Sequence, residues 1–178
     1  NQSIAGATAI QNYVGTMTIK NTIFSGNKSV QSDLTRANSQ GFFGPIYNSG
    51  SLTIEMSKFT DNQGAIFNNT GGSLTINNTL FSNNNYNVSD SFYAGGVTNY
   101  SGLIKINGST FSGNSTKGTG GAIYNHIANG QVIISNSTID SNTASYGGAI
   151  VNDNDGSTIT IYNSTISNNT DFAGTGVG

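Results

Sequence analysis

The sequence predicts an all-β fold, a parallel β-helix (solenoid) of about six coils with three short strands in each coil. The first observation behind it is a Phe or Ile followed three residues later by Asn, which occurs six times at intervals of 22 to 35 residues. Intervals in this range are typical of proteins built from structural repeats. The six pairs are Phe24 and Asn27, Phe59 and Asn62, Phe81 and Asn84, Phe111 and Asn114, Ile139 and Asn142, and Ile166 and Asn169.

The second observation is a three-residue motif that supplies the first strand of each coil. Its first member is always Ile or Val and its third is always Asn, and its fullest form is Gly-Gly-Ala-Ile-x-Asn, at residues 120–125. Two copies depart from that form, at residues 44–46 and 95–97, and Pro45 removes one backbone donor from the strand ladder. The six copies occupy residues 10–12, 46–48, 66–68, 97–99, 123–125 and 150–152.

The second and third strands of each coil follow from alternation. Segments such as Leu52, Thr53 and Ile54 place their outer two side chains inward and the middle one outward; they occupy residues 17–19, 52–54, 74–76, 104–106, 132–134 and 159–161. The third strand carries a Ser or Thr two positions before the Phe or Ile, so its hydroxyl points inward. These residues are Thr22, Ser57, Thr79, Ser109, Ser137 and Ser164.

Short strands turned by Gly or Asn describe one circuit of a parallel β-helix, in which equivalent residues of successive coils stack. The repeated Phe should therefore form an aromatic stack that Ile139 and Ile166 continue. The repeated Asn should form a ladder whose amides bridge neighbouring coils and satisfy buried turn backbone. At a rung spacing of about 4.8 Å, six coils give a rod of roughly 30 Å. A helical fold is not expected, because Gly, β-branched residues and Asn dominate.

The paired motifs resemble those of known repeat families. Gly121-Ala122-Ile123 together with Phe111-Ser112-Gly113-Asn114 resembles the polymorphic outer-membrane protein repeats of chlamydial autotransporters, and the Asn/Thr-rich sequence between the motifs resembles the adhesin-like surface proteins of methanogenic archaea. The resemblance covers nearly the whole chain. It implies a right-handed β-helix and a role in cell adhesion, but it is less specific for activity, since pectate-lyase-like enzymes share the architecture.

Composition indicates an extracellular, cell-surface location. The 178 residues fit one domain, residues 1–178, which we expect to be a fragment of a longer repeat array. Only 8 % of the residues are charged, so Asn, Ser and Thr must cover the surface. The net charge of −2 and the lack of a basic patch argue against a nucleic acid partner. Cysteine is absent, and no apolar run reaches the roughly 20 residues of a membrane span.

The sequence offers little for catalysis, and we predict that the chain is not an enzyme. A polysaccharide lyase or hydrolase on this scaffold would need clustered outward carboxylates, often with Ca²⁺, yet no two adjacent coils place acids at equivalent strand positions. Asp153 and Asp155 form the one close pair. Their segment is interpreted as an Asp/Gly turn, with a Ca²⁺ site as the alternative, and no cofactor is otherwise expected. The lone histidine, His126, is expected to be a solvated turn residue.

Binding is better supported, by two features. Tyr47, Phe67 and Tyr124 occupy the outward position of the first strand, where aromatic rings could stack on sugar or anchor a protein partner; stacking between neighbouring coils is the alternative. Two segments, residues 28–43 and 85–94, are longer than a coil needs, and loops on a rigid scaffold commonly carry recognition, although they could simply cover the core. Their candidate binding residues are Arg36, Phe42, Phe43, Tyr86, Phe92 and Tyr93.

Three functions remain open from the sequence. The first is a non-catalytic adhesin or stalk segment that binds a glycan or protein on another surface. The second is a structural filament or sheath subunit, which stacks end to end on identical subunits through open strand edges. The third, least supported by the scattered carboxylates, is a pectate-lyase-like carbohydrate-active enzyme.

Overall fold

The chain forms a right-handed parallel β-helix of six coils, as the sequence predicts. A computed structural model describes residues 9–28, 44–87 and 92–172, and every pairing between its strands is parallel. The strands are numbered in chain order and lie in four sheets, A to D, which run along the length of the molecule. Each coil passes through sheets A, B and C in that order, and the last four coils continue into sheet D. Strands that are distant in sequence thereby become neighbours in a sheet.

Sheets A, B and C each contain one strand from every coil. Sheet A comprises β1 (Ile10–Asn12), β4 (Ile46–Asn48), β7 (Ile66–Asn68), β11 (Val97–Tyr100), β15 (Ile123–His126) and β19 (Ile150–Asn152). Sheet B comprises β2 (Thr16–Lys20), β5 (Ser51–Glu55), β8 (Ser73–Asn77), β12 (Leu103–Asn107), β16 (Gln131–Ser135) and β20 (Thr158–Tyr162). Sheet C comprises β3 (Ile23–Ser25), β6 (Lys58–Thr60), β9 (Leu80–Ser82), β13 (Thr110–Ser112), β17 (Thr138–Asp140) and β21 (Thr165–Ser167).

Sheet D is a fourth sheet that the prediction of three strands per coil did not include. It contains a two-residue strand from each of the last four coils: β10 (Asn85–Tyr86), β14 (Ser115–Thr116), β18 (Thr143–Ala144) and β22 (Thr170–Asp171). Each strand directly follows the ladder Asn of sheet C, and its backbone bonds to the preceding coil; Ser115 N, for example, donates to Asn84 O at 2.8 Å. Two residues are too few to show an alternating pattern, so these strands could not be predicted from alternation.

The core contains the residues that the alternation pattern turned inward. In the middle coils the second and fourth residues of the sheet B strands, such as Leu74 and Ile76, are fully buried. The predicted aromatic stack is confirmed. Successive rings lie nearly parallel, with centroids 4.4 to 4.8 Å apart, in the order Phe24, Phe59, Phe81 and Phe111. Ile139 continues the stack and is buried, whereas Ile166 in the sixth coil is half exposed.

The predicted Asn ladder is confirmed, and a second one runs beside it. Along the sheet C edge each Asn donates from Nδ2 to the Oδ1 of the Asn in the next coil at 2.8 to 2.9 Å, from Asn27 to Asn169. The Asn residues at the third position of the sheet A strands do the same at 2.7 to 2.9 Å, from Asn12 to Asn152. Each coil is therefore tied to the next by side chains as well as by strand pairing.

The inward hydroxyls form a third polar row. In Ser57, Thr79, Ser109 and Ser137 the hydroxyl is buried and donates to the carbonyl two residues earlier. It also accepts a backbone N–H from the preceding coil, as when Thr79 N donates to Ser109 Oγ at 3.1 Å. The buried backbone at this corner thus receives partners that strand pairing alone would not provide.

Glycine and asparagine shape the corners for two distinct reasons. At the corner between sheets B and C one residue per coil has a positive φ, a conformation that Gly and Asn adopt most readily; these residues are Asn21, Met56, Asn78, Gly108, Asn136 and Asn163. At Gly121, in the Gly-Gly-Ala-Ile motif, the reason is not φ but the close approach of the next coil, which leaves no room for a Cβ. A Cβ on Gly121 would lie 2.0 Å from the carbonyl oxygen of Gly148 in the next coil.

Residues 9–28, 44–87 and 92–172 contain no helix long and apolar enough to cross a bilayer.

Candidate functional site

Six aromatic side chains form a strip of continuous ring contacts along the outer side of sheet A. Neighbouring rings in the strip have centroids 5.3 to 5.7 Å apart, close enough for aromatic contact. The strip extends from the first coil to the fifth, which is about 20 Å at the spacing of β-strands. In order of contact, its members are Tyr13, Tyr47, Phe67, Tyr100, His126 and Phe92.

Two positions of the repeat and one loop supply these rings. Tyr47 and Phe67 are paired neighbours at the middle, outward position of their sheet A strands. Tyr13, Tyr100 and His126 each come one residue after the ladder Asn, and Tyr100 pairs directly with His126. Because the Asn ladders fix the coils in register, these side chains are held in a line along the molecule.

Tyr93, a described residue of the second long segment, covers the middle of the strip. Tyr93 packs edge-on against Phe67 at 5.4 Å and contacts Tyr86 at 5.1 Å, so that these three residues form a buried aromatic cluster outside the main core. Two threonines hold the loop: Thr116 Oγ1 donates to Tyr93 O at 2.9 Å, and Ala94 N donates to Thr98 Oγ1 at 2.8 Å. The loop is thus anchored to the scaffold by its own backbone.

This packing corrects the expectation that Tyr47, Phe67 and Tyr124 form an exposed aromatic face. All three point away from the main core, as alternation requires, but Phe67 is only 7 % exposed and Tyr124 only 2 %. Tyr47 is half-buried and contacts Phe67 at 5.6 Å, which is the ladder stacking considered as the alternative. Residues of the loop and of the next corner cover the other two.

A polar cluster ends the strip and corrects the expectation of a solvated histidine. His126 is only 14 % exposed in its side chain, and its ring stacks between Phe92 at 5.3 Å and Tyr124 at 4.9 Å. Tyr124 donates its hydroxyl proton to Asp153 Oδ2 at 2.9 Å, and its oxygen lies 2.6 Å from His126 Nδ1. The single proton of the phenol is donated to Asp153. The His126 tautomer with a proton on Nδ1 then donates to the phenol oxygen, so both contacts of the Tyr124 hydroxyl are satisfied.

The surroundings set the ionisation of this cluster. Burial, with the hydrogen bond to Asp153 as a further cause, raises the pKa of Tyr124, which therefore stays neutral at physiological pH. For Asp153, burial acts to raise the pKa, but hydrogen bonds from Tyr124, His126 and the Asn154 N–H together lower it below its ordinary value. Burial likewise raises the pKa of Tyr86 and Tyr93. The cluster thus presents one ionised carboxylate that accepts a hydrogen bond from the neutral phenol of Tyr124.

The lowered pKa of Asp153 predicts a pH-dependent contribution to stability. The ionised form is favoured in the folded state, so the contribution should be complete above the ordinary carboxyl pKa of 3.8 and lost as pH falls through the lowered value. We expect wild type to be more stable than Asp153→Asn at about pH 5 and the difference to shrink towards pH 2. Denaturation midpoints of both proteins across this range provide the test. Asp140, whose pKa is also lowered by hydrogen bonds with Ser167, Ser141 and Asn168, is common to both proteins and cancels. A difference that stayed constant with pH would contradict the prediction.

The turn predicted at Asp153 and Asp155 is confirmed, and its contacts differ from those of a metal site. Asn154 N donates to Asp153 Oδ1 at 2.8 Å, and both Asn154 and Gly156 have positive φ. Asp153 Oδ2 faces Tyr124 and His126, while Asp155 is exposed. Across residues 9–28, 44–87 and 92–172, no group of three or more His, Cys, Asp or Glu is placed to hold a metal ion.

The structure brings together part of the predicted binding set and adds residues to it. Six predicted residues belong to one aromatic system that Tyr100 and His126 connect: Tyr47, Phe67, Phe92, Tyr93, Tyr86 and Tyr124. Tyr86 and Tyr93 were predicted as loop binding residues, but they are buried packing residues. Arg36, Phe42 and Phe43 lie outside the described residues. Sequence reasoning missed Tyr13, Tyr100 and the role of His126, although an aromatic residue directly after the ladder Asn in three coils was a visible signal.

No protein-family model, no curated protein and no solved structure matches this chain. A function for the chain must therefore be inferred from its own surface.

Proposed function

We propose that this chain is a non-catalytic segment of a cell-surface adhesin or stalk, which binds a glycan or protein on another surface through the aromatic strip. The observation that carries the proposal is the unbroken row of ring contacts from Tyr13 to Phe92 across five coils. Aromatic rings present large, rigid contact areas with a small loss of side-chain entropy, and they dominate the energetics of many interfaces.

The scaffold supports such a role. Two Asn ladders and the row of buried hydroxyls tie every coil to the next, so the strip is fixed before any ligand arrives. A preorganised surface loses less free energy on binding than a flexible one. The exposed members also lie at the two ends of the strip, since Tyr13 and Phe92 are each 51 % exposed while Phe67 between them is buried. An extended ligand that contacts both ends fits this arrangement better than a small molecule in a pocket.

The chemistry of the polar cluster also favours binding over catalysis. Asp153 is kept ionised and Tyr124 neutral, so at neutral pH neither has the pKa near 7 that general acid or base catalysis favours. The carboxylate is instead a fixed hydrogen-bond acceptor at the end of the strip.

The test is attachment of beads coated with the protein to cells and to immobilised glycans. We expect the double variant Tyr13→Ala with Tyr47→Ala to bind at least about tenfold more weakly than wild type, because it removes two adjacent rings of the strip. Tyr162→Ala is the matched control, since Tyr162 is similarly exposed, at 49 %, but lies in sheet B on a different face. Equal attachment of the double variant and the control would contradict the proposal.

A further inference from the structure

Building on the proposed function, we infer that Phe92, Asp153 and Asn154, arranged around His126, form a subsite that binds a neutral sugar ring of an extended glycan and rejects acidic sugars. The subsite lies at the fifth and sixth coils, where the aromatic strip meets the polar cluster. Its ligand class follows from three properties of the described residues: an exposed flat ring, a fixed acceptor beside it and the sign of the local charge.

The flat ring is Phe92. Its plane lies 13° from that of His126, with centroids 5.3 Å apart, and half of its surface remains exposed. His126 is itself supported by Tyr124 at 4.9 Å and Tyr100 at 5.4 Å. Phe92 is therefore the uppermost layer of a stack whose lower layers are fixed to strands of sheet A. Such a ring offers an apolar face on which the C–H face of a pyranose can lie.

The fixed acceptor is Asp153. Its side chain is 47 % exposed, and His126 Nδ1 lies 3.2 Å from Asp153 Oδ2. Phe92 and Asp153 thus contact the same imidazole, one through its ring face and the other through its nitrogen. A carboxylate has about four acceptor positions, and the Tyr124 hydroxyl and the Asn154 N–H occupy two of them, while His126 Nδ1 lies beside a third. The remaining acceptor capacity of this exposed carboxylate is available to sugar hydroxyls. Asn154, whose Nδ2 lies 3.3 Å from His126 Nδ1, adds its exposed Oδ1 as a second acceptor.

The local charge selects among sugars. Within residues 9–28, 44–87 and 92–172, the side-chain hydrogen-bond partners of Tyr124, His126 and Asp153 include no Lys or Arg. The charged groups of the adjoining turn are Asp153 and Asp155. A uronate or sulfate would bring a second negative charge to an ionised carboxylate without a cation to balance it. Specificity often depends on such unfavourable contacts with the wrong ligand. Neutral hexoses, which only donate and accept hydrogen bonds, avoid the repulsion.

The experiment titrates the whole chain with three probes, a glucose hexamer, a mannose hexamer and a galacturonic acid hexamer, using calorimetry. We expect at least one neutral hexamer to bind and the galacturonate to bind at least about tenfold more weakly. Phe92→Ala should weaken neutral binding by about tenfold, whereas Tyr162→Ala should not change it. Asp153→Asn, which keeps the shape of the side chain, should reduce the discrimination against galacturonate. Far-UV circular dichroism checks that each variant is folded.

Several outcomes would overturn the inference while leaving the proposed function intact. If galacturonate binds wild type as tightly as the neutral hexamers, the charge argument is wrong. If Phe92→Ala leaves neutral binding unchanged while Tyr13→Ala with Tyr47→Ala abolishes it, the ligand contacts the strip elsewhere. If no hexamer binds but coated beads still attach to cells through the strip, the ligand is not a neutral glycan. The proposed function itself fails only if attachment does not depend on the strip.

Discussion

Replacing Asn84 with alanine is expected to lower the free energy of unfolding by about 3–5 kcal/mol, the larger part of it from hydrogen bonds left unmade. Asn84 is fully buried. Its Oδ1 accepts from the Asn62 backbone N–H at 3.2 Å and from Asn62 Nδ2 at 2.9 Å. Its Nδ2 donates to Phe59 O at 2.9 Å and to Asn114 Oδ1 at 2.8 Å. Alanine removes all four hydrogen bonds in a site that the neighbouring coils enclose.

The adjacent residue provides a matched control. Asn85 is also asparagine but its side chain is exposed, so Asn85→Ala should change the free energy of unfolding by less than about 0.5 kcal/mol. Urea denaturation followed by far-UV circular dichroism measures both, and is suited to a chain without Trp. Similar losses in the two variants would show that the ladder contributes no more than a surface side chain does.

Replacing Phe81 with alanine is expected to destabilise the protein by about 3–5 kcal/mol through the cavity that it leaves. Phe81 is fully buried in the middle of the aromatic stack, 4.8 Å from Phe59 and 4.4 Å from Phe111 between ring centroids. The parallel strands on both sides fix its neighbours in register, so the site has little freedom to collapse. The loss of two aromatic contacts adds to the loss of buried apolar area.

The repeat itself suggests the control for Phe81. Ile139 occupies the equivalent position in the fifth coil and is fully buried there, so Phe81→Ile should cost less than Phe81→Ala, about 1–2 kcal/mol. Phe172→Ala, at a half-exposed residue of the last coil, should change stability little. Urea denaturation midpoints of the three variants give the comparison. If isoleucine were as damaging as alanine at this position, filling the core volume would not be what the stack contributes.

The inward-facing positions of the chain could be predicted from the sequence because they recur in every coil. Phe81, Asn84 and Thr79 were each assigned an inward role from alternation and period, and each is buried with the expected neighbours. The same reasoning missed sheet D, because strands of two residues such as Ser115–Thr116 have no pattern to detect. It also treated only one row of Asn as a ladder, although Asn99 and its equivalents recur just as regularly.

For the outward positions, the sequence predicted the direction of the side chains but not their exposure. Phe67 and Tyr124 were correctly turned away from the core, yet both are covered, Phe67 by Tyr93 and Tyr124 by His126 with its neighbours. The repeat pattern does not indicate whether a loop folds back over a strand. That depends on contacts outside the repeat, such as the hydrogen bond from Thr116 Oγ1 to Tyr93 O. The cluster of Tyr124, His126 and Asp153 joins two coils across 29 residues of sequence and lies on no shared motif.

The sequence by itself therefore determined the coil, the core and the polar rows that hold the coils in register, because each of these depends on local alternation repeated at a regular interval. The tertiary structure alone decided which outward aromatic residues remain exposed and which residues meet at the end of the strip. The physical reason is that burial of an outward side chain depends on the particular loop and corner residues packed over it. Those residues differ from coil to coil, so no repeat encodes them.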